Sequence, residues 1–119
     1  MSKIMLGRYE LTSELRPFNG HGGVTIHIYG PKAGKREEVL RFDCFAKEPH
    51  YHLGWSYRNA PYLLIDADDS LKWSLSTIKG DFAQLLADAG ADAPTSAELV
   101  ELPAAVKRFS EYCHAVKAA

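Results

Sequence analysis

Hydrophobic residues change their spacing part-way along the chain, from every second position to every third or fourth. Tyr9, Leu11, Ser13 and Leu15 alternate with Arg8, Glu10, Thr12 and Glu14. Val24, Ile26 and Ile28 alternate with Thr25, His27 and Tyr29, and Leu40, Phe42 and Cys44 with Arg41, Asp43 and Phe45. Tyr51, Leu53, Trp55 and Tyr57 alternate with His50, His52, Gly54 and Ser56. Side chains of a strand point to opposite faces in turn, so each stretch reads as a half-buried strand. The run YLLID after Pro61 suggests a fifth. The breaks between them, PFNGHGG and GPKAGK, are rich in glycine and short, which favours antiparallel neighbours.

From Leu71 the spacing becomes helical. Leu71, Leu75, Ile78, Phe82, Leu85 and Ala89 form one stripe. Asp68, Asp69 and Ser70 are candidate N-caps, and Gly90 is a stop. Gly80 predicts a break with a restart at Asp81. Leu71, Trp73 and Leu75 also alternate, so a strand over 70–76 is the rival reading, and the helix is preferred. Thr95 and Glu98 have capping-box spacing. Proline suits a first helical turn, so Pro103 predicts a short turn near 96–101 and a second long helix over 103–116. Its stripe is Leu102, Val106, Phe109, Cys113 and Val116. The expected fold is therefore α+β: an antiparallel meander of four to five strands with two main helices packed on one face. It is read as a single domain over 1–119, strand-rich over 1–66 and helical over 69–117.

Composition narrows the function classes. A chain of 119 residues with 46% hydrophobic and 24% charged residues is long enough to bury its own core. Lys plus Arg is 14 and Asp plus Glu is 15, so no net charge draws the chain to nucleic acid or an anionic lipid surface. A local basic patch would still permit nucleic-acid binding. Cys44 and Cys113 stand in no paired motif and read as buried, reduced thiols. No apolar run is long enough for a membrane helix or a secretion signal. The expectation is a soluble, cytoplasmic protein.

Matching apolar partners across the strands predicts which side chains share the other face. A four-residue loop over 46–49 places Phe45 opposite His50 and Asp43 opposite His52, with Cys44 by Tyr51, Phe42 by Leu53 and Leu40 by Trp55. Ile26 is matched to Leu40 and His27 to Val39, leaving His27 diagonal to Arg41. The open face then carries His27, Arg41, Asp43, His50 and His52. An aspartate that accepts an imidazole N–H fixes its tautomer and raises its pKa, freeing the second nitrogen for a proton or a metal.

Three uses of this face follow. The leading expectation is a small binding module, homodimeric or bound to another protein, in which His27, His50, Trp55, Tyr57 and Arg58 contact the ligand. The second is a metal-independent acid–base enzyme, with His52 as base, Asp43 orienting it and Arg41 binding the anion. The third is a zinc-like divalent site on His50, His52 and Asp43, although no motif demands a cofactor. Trp55 and Tyr57 beside Arg58 would also suit base stacking, but core packing explains them first.

Other motifs fall away. GPKAGK lacks the spacing, the hydroxyl residue and the following helix of a phosphate loop. DADDS, at 66–70, lacks the glycine and glutamate of a calcium loop. His21 lies in a glycine-rich turn and reads as solvated. The pair His50-x-His52 resembles the metal motif of cupin barrels, but 53–59 reads LGWSYRN without its glutamate. That family's metal is not carried over. YRNAP, over 57–61, resembles a stretch of small RNase-like toxins and is the origin of the RNA-cleaving form of the acid–base reading.

Overall fold

The computed structural model describes residues 3–17, 22–54 and 62–118. It is an α+β fold with a single antiparallel sheet of six strands. The strands are β1 (Lys3–Leu6), β2 (Tyr9–Arg16), β3 (Gly23–Lys32), β4 (Lys35–Phe45), β5 (His50–Leu53) and β6 (Tyr62–Leu64). They lie in chain order, each paired with the next. Two helices follow, α1 (Ser70–Asp88) and α2 (Ser96–Ala118). The strand count exceeds the expected four to five because β1 has only two inward residues, Ile4 and Leu6, too few to register as a pattern. No helix among the described residues is long and apolar enough to cross a membrane.

Both helices cover the same face. Ile4, Leu6, Tyr9, Leu11, Val24, Ile26, Ile28, Leu40, Phe42 and Cys44 are buried with the expected stripes of the two helices, of which Val116 alone is only partly buried. Each large side chain taken fully out of water contributes about 1.5–3 kcal/mol, so this layer is the main source of stability. Cys44 and Cys113 are free and buried within it. Burial pushes their thiols up to about 12 and about 11, which leaves neither as a nucleophile near neutral pH.

The helix ends follow the sequence signals closely. Asp69 caps α1 by accepting the Lys72 N–H at 3.0 Å. A non-helical kink lies at Asp81, where Gly80 predicts the break. The helix closes on Gly90, whose positive φ of 73° lets its N–H reach Ala87 and the Ala91 N–H reach Leu86. The second helix departs from expectation, running unbroken from Ser96 through Pro103. The capping box at Thr95 already starts it. Pro103 removes the hydrogen bond to the Leu99 carbonyl, but both residues face solvent, where water replaces the donor.

The registers also need correction. β3 and β4 meet through a two-residue turn, Ala33–Gly34, with φ of 50° and 80°, and this turn sets Lys32 opposite Lys35. Further along, a bulge leaves Val39 without a partner between Leu40 and Glu38. Ile26 therefore pairs with Phe42 rather than Leu40, and His27 lies directly opposite Arg41 rather than Val39. At the β4–β5 hairpin, Asp43 faces His50, Arg41 faces His52, Phe42 faces Tyr51 and Leu40 faces Leu53. Each is two residues from the expected register. A two-residue shift preserves the face of every side chain, so the membership of the open face survives the error.

Candidate functional site

The face away from the helices is polar but not uniformly wet. Thr25, His27, Asp43, Phe45 and His52 are all buried there. Two histidine clusters occupy it, one on each side of Arg41.

The first is centred on Asp43 of β4, whose side chain is 3% exposed. Its Oδ1 accepts the Thr25 hydroxyl at 2.8 Å from β3. Arg16 Nη1 and Arg41 Nε each approach the same oxygen to 3.5 Å. Oδ2 faces β5, with His50 Nε2 at 3.1 Å and His52 Nε2 at 3.6 Å. One ligand-type atom from each of Asp43, His50 and His52 lies within 4.8 Å of the others. His50 directs its other nitrogen, Nδ1, to the Glu48 backbone carbonyl at 2.9 Å. Glu48 adopts a positive φ of 50° in the loop before β5.

The electrostatics follow from these contacts. The bond to Asp43 raises the His50 pKa above its ordinary value; burial opposes this and the Glu48 carbonyl reinforces it. Burial alone would raise the Asp43 carboxyl, but hydrogen bonds from His50 and Thr25 outweigh it and hold it below the ordinary value. Tyr62 of β6 stands edge-on to both rings, 5.0 Å from His50 and 6.2 Å from His52 between centroids. Phe45 stands edge-on to His50 at 5.9 Å. A cleft of about 210 Å³ opens here, lined by Phe45, Lys47, Glu48, His50 and Tyr62.

The second cluster is His27 between two carboxylates. Its Nε2 lies 2.6 Å from Glu14 of β2 and its Nδ1 2.9 Å from Glu38 of β4. Burial lowers the ring's pKa, but the two carboxylates together raise it above the ordinary value. The bulge at Val39 is responsible for the second contact. Strict alternation from Leu40 would turn Glu38 toward the helices; the extra residue turns it to the open face opposite Tyr29.

Of the residues expected from sequence, Arg41, Asp43, His50 and His52 come together, and His27 lies beside them in its own cluster. Trp55, Tyr57, Arg58 and His21 lie outside the described residues. Arg16, Thr25, Glu14, Glu38 and Tyr62 are additions. Thr25 and Glu14 carried a signal, because both stand on the polar side of their strands. Arg16 continues the same polar side of β2, whereas Glu38 is turned to this face by the bulge, which alternation does not reveal.

Residues 3–112 match a family model described as a domain of unknown function (DUF7700). No curated protein and no solved structure matches the chain.

Proposed function

The chain belongs to the DUF7700 family, and we propose that it is a small ligand-binding module whose working surface is the open sheet face, with a zinc-like divalent metal held by Asp43, His50 and His52. One observation carries the reading: three ligand atoms converge, and the far atom of two of the ligands is already fixed. Metal–ligand bonds of about 2.0–2.2 Å in a tetrahedron set neighbouring ligand atoms roughly 3.4 Å apart. Asp43 Oδ2 lies 3.1 Å and 3.6 Å from the two imidazole nitrogens. The Nδ1–H of His50 held by a backbone carbonyl, and the outer Asp43 oxygen held by a hydroxyl, are the supports that metal ligands ordinarily have. Without metal, both His50 nitrogens face acceptors, so a proton occupies the position the cation would take. Binding therefore releases a proton and weakens in acid.

Isothermal titration of the purified chain with zinc tests this. The expected result is one equivalent bound at micromolar or tighter affinity, lost in both His50→Ala and His52→Ala. Failure of the unaltered chain to bind zinc between pH 7 and 8 would sink it.

Homodimerisation is a second reading, supported by β6. Its side chains Tyr62, Leu63 and Leu64 are 58%, 44% and 66% exposed. An apolar edge strand is a template for a second copy. A monomeric mass by light scattering at high protein concentration would dismiss it.

A further inference from the structure

We infer that the fourth coordination position of this centre is built for a small oxyanion, a phosphate or carboxylate group, gripped jointly by the metal and the Arg16 guanidinium. The inference rests on the metal reading above and adds its ligand class. Three protein ligands leave a tetrahedral ion one open position. The identity of the group that fills it follows from the charge around Asp43.

Asp43 is the acid at the centre, and its outer oxygen is already approached by Arg16, Arg41 and the Thr25 hydroxyl. Ligating histidines are neutral, so a divalent ion adds two positive charges to the two guanidiniums with one carboxylate to oppose them. The nearby acids lower this imbalance without cancelling it, because Glu14 and Glu38 together carry one negative charge more than a protonated His27. Glu14 and Glu38 are turned to His27, and Glu10 to Lys3 and Arg36. Glu48 lines the cleft, with Lys47 beside it. A buried excess of positive charge is costly unless an anion completes it.

Arg16 is the group placed to take part. Its side chain is 34% exposed at the end of β2, whereas Arg41 is 13% exposed and lies deeper. A guanidinium offers five N–H donors in a fork that matches two oxygens of a phosphate or carboxylate. Arg16 meets Asp43 through one nitrogen at 3.5 Å, longer than a strong charge-assisted bond, which leaves its fork available. A cleft lined by Phe45, Lys47, Glu48, His50 and Tyr62 opens beside His50, on the far side of Asp43 from Arg16.

The test uses cobalt(II) in place of zinc, because its visible absorption reports both binding and changes in coordination. The cobalt-loaded chain is titrated with inorganic phosphate and with acetate at constant ionic strength. The expected result is a saturable spectral change with at least one of the two. Arg16→Gln, checked for folding by thermal melting, should weaken that anion about tenfold, roughly the worth of one charge-assisted contact. Cobalt affinity should not fall, because the variant removes a cation beside the ligand. Cobalt binding with no response to either anion overturns the inference and leaves the metal reading standing. An unchanged anion affinity in Arg16→Gln overturns the role of the arginine and with it the inference. Absence of cobalt binding overturns both readings together.

Discussion

Glu98, in the first turn of α2, reaches back to Arg8 in the β1–β2 turn, accepting its backbone N–H at 2.7 Å and its guanidinium at 2.9 Å and 3.2 Å. The same carboxylate accepts the Thr95 N–H at 2.8 Å, closing the capping box. It is 4% exposed. One side chain thus caps a helix and fastens it to the edge of the sheet. Burial pushes the carboxyl up, but the Arg8 and Thr95 bonds bring it down to about 2. Glu98→Ala should cost about 2–3 kcal/mol, from the lost cap and the orphaned donors. Thermal melting should show a drop of roughly 10 °C for a chain this size. A folded pKa below the unfolded one means the stabilisation is present above the ordinary carboxylate value and is lost as pH falls toward 2. Acid unfolding of Glu98→Gln should accordingly be less pH-dependent than that of the unaltered chain.

His27 has the opposite sign. Its pKa is raised by Glu14 and Glu38, so its contribution is complete below the unfolded value of about 6.5 and disappears as pH rises through the higher folded value. The protonated ring joins β2, β3 and β4 across the open face. Denaturant midpoints between pH 6 and 9 should fall with rising pH. His27→Gln should flatten that slope. An identical slope in the variant would show that another group is responsible.

These two groups differ in how far the sequence reveals them. Thr95 and Glu98 carry the capping-box spacing openly, but Arg8 as the partner is invisible because it depends on how α2 lies against β1. The open-face membership of Arg41, Asp43, His50 and His52 is legible because a strand has a period of two, and a register error of two residues returns each side chain to the same face. Which histidine lies directly opposite Asp43 is not legible, because Cys44 and Phe45 continue β4 against β3 only, so the β4–β5 pairing closes two residues earlier, at Asp43 and His50. Glu38 is hidden for a different reason: a bulge at Val39 inverts the alternation of the residues before it, and nothing in the strand's composition marks it. Pro103 misleads because the helix begins seven residues earlier than a first-turn proline implies.

Pro103 yields a prediction of its own. It sits inside α2 on the solvent side and interrupts the backbone ladder at Leu99. An interior proline costs a helix up to about 3 kcal/mol, partly offset by the stiffening it gives the unfolded chain. Pro103→Ala should therefore stabilise the chain by about 1–2 kcal/mol, read as a higher denaturant midpoint with an unchanged slope. A lower midpoint would mean that the ring's packing outweighs the missing hydrogen bond.

The pairing of His50 with Asp43 can be read directly by proton NMR. In the unaltered chain the His50 ring should titrate above about 6.5, since the buried carboxylate stabilises its charged form. Asp43→Asn keeps the side chain's size and removes the charge. The His50 pKa should then fall, because burial remains while its largest compensation is gone. Zinc should also displace the Nε2 proton, while the Nδ1–H stays on the Glu48 carbonyl. His50 and His52 signals should shift together on zinc addition, and His27, held by two carboxylates, should not. A joint shift of His50 and His52 that persists unchanged in Asp43→Asn would mean that zinc is held by the two imidazoles alone, with the aspartate serving only as their counter-charge.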